Sequence, residues 1–133
     1  MARTRARRDE PAPDRGQLVL RGILGDHGLD PADLRQAAVT NHELYGFFGV
    51  SVWVTSPAYP RKVIEQAKLV KFERYAEFTV ADLTRRGLQL WATGQAPHYD
   101  VVQAGNDLES LVGLLAAAPH QVRPNPHVDR EER

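Results

Sequence analysis

Phe47-Phe48-Gly49-Val50-Ser51-Val52-Trp53-Val54 is the stretch that decides the class of fold. Phe48, Val50, Val52 and Val54 fall on one side of an extended chain, and Phe47, Gly49, Ser51 and Trp53 on the other. Period-two alternation rich in β-branched and aromatic residues reads as a strand. Neither side carries a charge, so the strand is expected at the centre of a sheet and covered on both faces.

Working toward the N-terminus, a helix precedes this strand. Asp30 is a natural cap, Pro31 suits the first helical position, and Asp33 places an acid in the first turn. Leu29 and Leu34 occupy the two positions of a hydrophobic staple, and Leu34, Ala37 and Ala38 share a face. The helix is expected to fade near Thr40 or Asn41. Before it, Leu18 to Leu24 reads as a short first strand interrupted by Gly22.

Toward the C-terminus, Pro57 and Pro60 mark a turn, and Arg61 to Glu73 reads as a helix with Val63, Ala67 and Val70 inward. Tyr75 to Thr79 is a short strand. Thr79 then opens a brief helix that Gly87 ends. Leu88 to Ala92 and Tyr99 to Gln103 are strands separated by a loop over Thr93 to Pro97. Asn106, with Glu109 three residues later, resembles a capping box ahead of a helix with Leu108, Leu111, Val112 and Leu115 on one stripe. The expectation is an α+β (mixed α/β) fold: a single compact domain with about five strands and roughly three to four helices.

The chain has 133 residues, a length that suits one core. It contains no cysteine, which removes disulfides, thiol catalysis and Cys-based zinc sites. The longest apolar run, Leu111 to Ala118, is eight residues, against about 20 for a membrane helix. No membrane partner is expected. The 17 Lys+Arg balance 17 Asp+Glu, which argues against a surface that coats nucleic acid as a whole.

The ends differ from the middle. The first eight residues carry four arginines and no acid, and no Val, Ile, Leu or aromatic residue appears before Leu18. Residues 1–16 therefore read as a disordered Arg-rich arm. No apolar signal segment is present in it, so a cytoplasmic location is expected. Residues 17–120 read as the globular domain, and 121–133, with Pro124 and Pro126, as a flexible Pro-rich tail.

Chemistry-bearing residues gather ahead of two strands. Asn41-His42-Glu43, with Tyr45, sets an imidazole beside a carboxylate and a phenol, a set suited to acid–base work; the same His42 also suits a helix C-terminus, facing exposed carbonyls. Pro97-His98-Tyr99-Asp100 opens the fifth strand, and alternation puts His98 and Asp100 on one face, where the carboxylate can fix the tautomer of the imidazole. Arg21 lies inside an apolar strand and needs a carboxylate or an anionic ligand as partner. His120, His127 and Asp129 in the tail have no metal-ligand spacing, and no metal or cofactor is expected.

Phosphate-binding Gly-rich loops and the Gly-x-Ser-x-Gly elbow are absent, which lowers the claim of nucleotide hydrolases, Rossmann dehydrogenases and serine esterases. The leading expectation is a toxin-like, metal-independent enzyme acting on RNA or a nucleotide. In it His42, His98, Asp100 and Tyr45 would carry the acid–base work, with Arg21 and Tyr99 binding substrate. The alternative is a noncatalytic interaction module, antitoxin-like or accessory, that engages a protein partner through its terminal arms.

Overall fold

The computed structural model of the protein describes residues 7–23, 28–56 and 69–125. Its elements in chain order are β1 (Leu18–Ile23), α1 (Pro31–Tyr45), β2 (Val50–Thr55), β3 (Arg74–Thr79), α2 (Val80–Arg85), β4 (Leu88–Ala92), β5 (His98–Gln103), α3 (Leu108–Ala117) and β6 (Gln121–Pro124). A 3₁₀ turn at Leu69–Lys71 precedes β3. The strands form one six-stranded sheet of order β4-β5-β2-β1-β3-β6, antiparallel at every junction. The α+β class is thus present, with six strands rather than five and three α-helices among the described residues.

β2 lies inside the sheet, between β5 and β1. One of its faces, Val50, Val52 and Val54, joins Val19, Ala76, Phe78, Tyr99 and Val101 of neighbouring strands in the main core. Leu34 and Ala38 of α1 and Leu111, Val112 and Leu115 of α3 close that core from above. A fully buried side chain such as Phe78 or Leu34 contributes about 1.5–3 kcal/mol relative to exposure. The opposite face carries a smaller cluster, Leu20, Leu69 and Tyr75, with Leu18, Trp53 and Phe72 against it. The core face of β2 is buried, while Ser51 and Trp53 on the other face are half-buried, so the covering expected on both sides is complete on one only.

The start of α1 follows from local chemistry. Asp30 accepts the Ala32 amide at 2.9 Å, and Pro31 occupies the first turn. Its end lies later than the expected Thr40 or Asn41. The helix runs to Tyr45 and stops at Gly46, whose φ of 86° is left-handed and whose N–H donates to His42 O at 2.9 Å. Glycine takes that conformation without the Cβ penalty. The cap of α3 also differs from expectation. Asp107, not Asn106, accepts the Ser110 amide at 2.8 Å. Asn106 instead takes φ 53° and gives its side-chain oxygen to the Phe48 amide at 2.9 Å, tying the α3 entrance to the approach of β2.

Both ends of the described chain depart from the arm-and-tail expectation. Arg7 and Arg8 lie against the end of β4, where Arg7 bridges to Thr93 and the Arg8 amide donates to Ala92 O at 2.8 Å; farther along, the Ala81 amide of α2 donates to Arg15 O at 3.0 Å. Polar contacts and stacking, rather than apolar burial, hold the arm there. Gln121–Pro124, read as tail, is strand β6 on the edge of β3. Most of the helix expected over Arg61 to Glu73 lies outside the described residues, as do His127 and Asp129.

Candidate functional site

β5 places its side chains alternately above and below the sheet. Its register with β2 sets Trp53 opposite His98 and Ser51 opposite Asp100. His98 and Asp100 therefore share the face away from α1 and α3, while Tyr99 enters the main core on the other side. The same-face relation expected of His98 and Asp100 is present, but it is completed by Thr93, the first residue of the β4–β5 turn.

Asp100 is fully buried. The Thr93 hydroxyl, also fully buried, donates to Asp100 Oδ2 at 2.8 Å. His98 Nδ1 lies 3.1 Å from the Thr93 carbonyl oxygen and 3.1 Å from Thr93 Oγ1. A carbonyl only accepts, and the Thr93 hydroxyl hydrogen is committed to Asp100. Both contacts are satisfied when Nδ1 carries the imidazole hydrogen, which leaves the lone pair on Nε2. Trp53 and the imidazole pack in a T-shaped arrangement with centroids 5.7 Å apart, so the ring is also held by an aromatic neighbour. The arrangement can accept a proton at Nε2 and stabilise the resulting imidazolium through Thr93 toward Asp100.

The turn that carries His98 is gripped from outside. Arg8 Nη1 donates to Thr93 O at 2.5 Å and to His98 O at 2.7 Å. Its Nε and Nη2 fork onto the two Glu10 carboxylate oxygens at 3.0 and 3.1 Å. The guanidinium also lies over the Tyr99 ring, 5.0 Å from its centroid, and the Tyr99 hydroxyl donates to Glu10 Oε1 at 2.5 Å. Hydrogen bonds from Arg8 and then Tyr99 hold the Glu10 carboxyl below its ordinary range. Burial, reinforced by Glu10, pushes the Tyr99 phenol up to about 12.

No protein-family model matches this chain, and no curated protein or solved structure matches it.

The other residues singled out in the sequence occupy different places. His42 is in the last turn of α1, exposed and stacked on Phe48 with centroids 4.3 Å apart. Phe48 precedes Trp53, the neighbour of His98, by five positions, a displacement on the order of 15 Å at about 3.3 Å per residue. The two imidazoles are not brought together, and His42 occupies the helix C-terminal position that was its other reading.

Tyr45 and Arg21 line the same cleft, of about 320 Å³ between α1 and the sheet, with Asp33, Thr40, Asn41 and Ser51. Arg21 points to the helix side, where Nη1 donates to Ser51 O at 2.9 Å and Nη2 pairs with Asp33 at 3.2 Å. The partner carboxylate that the sequence demanded is Asp33, on the face opposite His98. Tyr99 anchors the arm rather than lining the His98 face. Among the described residues no group of three or more His, Asp or Glu side chains is placed to hold a metal ion. No helix among them is long and apolar enough to cross a membrane.

Thr93 and Arg8 were not singled out in the sequence. The hairpin register offers a signal for Thr93: pairing Ala92 with Tyr99 sets Thr93 opposite His98. Arg8 had none beyond being one arginine of several in the arm.

Proposed function

We propose that this protein is a toxin-like, metal-independent enzyme acting on RNA or a nucleotide, with His98 as its acid–base group. The observation that carries this reading is the bonded series from buried Asp100 through Thr93 to His98 Nδ1. An imidazole so oriented presents one nitrogen for proton transfer, and the buried carboxylate favours the imidazolium that forms. RNA suits such a site because its own 2′-hydroxyl is the nucleophile. His98 Nε2 then takes that proton and, as the imidazolium, gives it to the leaving oxygen. Trp53 beside His98 supplies an aromatic surface of the kind on which bases stack. This reading uses one histidine where the sequence suggested two, and leaves His42 outside the chemistry.

Bacteria induced to make equal amounts of wild type, His98→Ala, His98→Gln or His42→Ala test it. Growth arrest and total-RNA damage are expected from wild type and His42→Ala. The two His98 variants lose the damaging activity by on the order of 10²–10⁴-fold, the range for a lost acid–base group. Intact RNA and normal growth with the wild type reject the reading.

That second outcome leaves the noncatalytic interaction module. Its structural support is β6, an edge strand whose four residues are all exposed and include Val122. Open strand edges pair with other chains.

A further inference from the structure

We infer that residues 7–10 are a built-in part of the His98 site, and that Arg8 is a positioning residue that fixes the His98 tautomer through the Thr93 carbonyl. The β4–β5 hairpin has a defect at its turn. Its last rung, Thr93 N to His98 O, is long at 3.4 Å, and the His98 amide turns away to Gln95 O at 2.9 Å. The hairpin thus gives the Thr93 carbonyl no donor from the His98 amide. Arg8 Nη1 and His98 Nδ1 take that carbonyl instead, at 2.5 and 3.1 Å. The same Nη1 also bonds His98 O, so one guanidinium nitrogen links the carbonyls on both sides of the turn.

Arg8 is itself over-determined. Its amide is tied to Ala92 O, its fork is filled by Glu10, and Tyr99 backs its plane. Its side chain is 17 % exposed. The neighbouring Arg7 lies over Trp91, 4.4 Å from the ring centroid, so successive arginines grip aromatic residues on the two faces of the sheet. A lysine offers a single point charge and cannot fill the Glu10 fork and both carbonyls together. With Arg8 in place, the Thr93 carbonyl stays where His98 Nδ1–H can reach it. Without it, the Thr93 and His98 carbonyls lose the guanidinium that links them across the long rung, and the imidazole loses the fixed acceptor that selects its tautomer.

The consequence for activity rests on the proposed role of His98, but the consequence for the imidazole does not, and the test reads them separately. Imidazole ¹⁵N spectra of the full-length protein are recorded at about pH 8.5, above the usual imidazole range. His98 of the wild type is expected as the Nδ1–H tautomer. Arg8→Ala is expected to lose that preference, with ¹⁵N shifts of the two nitrogens converging, while thermal melting stays cooperative. Glu10→Gln, which loosens the fork but keeps Arg8, is expected to give a smaller shift in the same direction and decides the matter if Arg8→Ala does not fold. Arg85→Ala, which removes an exposed ion pair on α2, serves as the control that leaves the His98 signals in place. Wild-type His98 shifts in folded Arg8→Ala, or in Glu10→Gln where the first is unfolded, overturn the inference. A shifted tautomer in a chain that never damages RNA overturns the enzyme reading and leaves the positioning role standing.

Discussion

The Thr93 hydroxyl donates to the Asp100 carboxylate at 2.8 Å, with both residues fully buried. A carboxylate out of contact with water costs several kcal/mol unless donors reach it, so this bond supports the fold as well as orienting His98. Because the donor comes from a turn and the acceptor from the middle of a strand, the pair also fixes where the turn begins.

Thr93→Val keeps the shape and the main-chain carbonyl but removes the donor. The loss expected is about 1–3 kcal/mol, the cost of leaving a buried acceptor short of its partner. Thr93→Ser keeps a hydroxyl and is expected to recover most of that loss. Urea denaturation of the three proteins checks this; a Val variant as stable as wild type would mean that the bond contributes nothing net.

The contact of Tyr99 with Glu10 under Arg8 predicts an alkaline instability. The Tyr99 phenol ionises near the ordinary value of 10 in the unfolded chain and at about 12 in the folded one. Between those values the unfolded state binds fewer protons, so stability falls as pH rises from about 10, and the loss is complete above about 12. Below about 10 the contribution is fully present. Tyr99→Phe removes the titrating group, and its stability should decline less over the same window. Denaturation midpoints at a series of pH values from about 9 to 12 measure the difference.

Parts of this architecture were legible because they follow from local rules. The alternation of Val50, Val52 and Val54 has no competing reading, and Asp30-Pro31 states where α1 begins. β6 was missed for a physical reason. Gln121–Pro124 buries no side chain, so it has no core-facing pattern, and an edge position tolerates Pro124. The His98–Asp100 relation was readable from strand periodicity alone. Arg8 was not, since it meets His98 across 90 positions of chain through a backbone carbonyl that carries no side-chain signature. The same applies to the separation of His42 from His98, which depends on how far α1 extends before Gly46 turns the chain.

Gly22 should not tolerate a methyl group. A Cβ there would lie 2.2 Å from the Phe72 ring, beneath the Leu20–Tyr75 cluster. The strand conformation itself accepts alanine, so the penalty is steric and requires Phe72 to move. Gly22→Ala is expected to cost about 1–3 kcal/mol, as in other overpacked sites. Gly22→Ala combined with Phe72→Leu should cost less than the sum of the two changes, because the smaller side chain makes room. Additive losses in a double-mutant cycle would contradict the contact.

Arg21 offers a comparison between two ion pairs in one molecule. Its side chain is 13 % exposed, and its guanidinium bonds Ser51 O as well as Asp33, at a place where β1 stays with β3 but its pairing with β2 ends at Leu20. Arg85, in contrast, is 66 % exposed against Asp82 on one turn of α2. Arg21→Met keeps much of the buried stem but leaves Ser51 O and a half-exposed Asp33 without the donor. The expected loss is about 1–3 kcal/mol, because the unmade hydrogen bonds are partly buried. Arg85→Met should cost less than about 1 kcal/mol, and added salt should erase most of it, since water already screens that pair. Urea denaturation of both variants at low and high salt distinguishes the two environments. Equal losses, equally sensitive to salt, would show that Arg21 behaves as a surface charge and that the gap between β1 and β2 is closed by something other than its guanidinium.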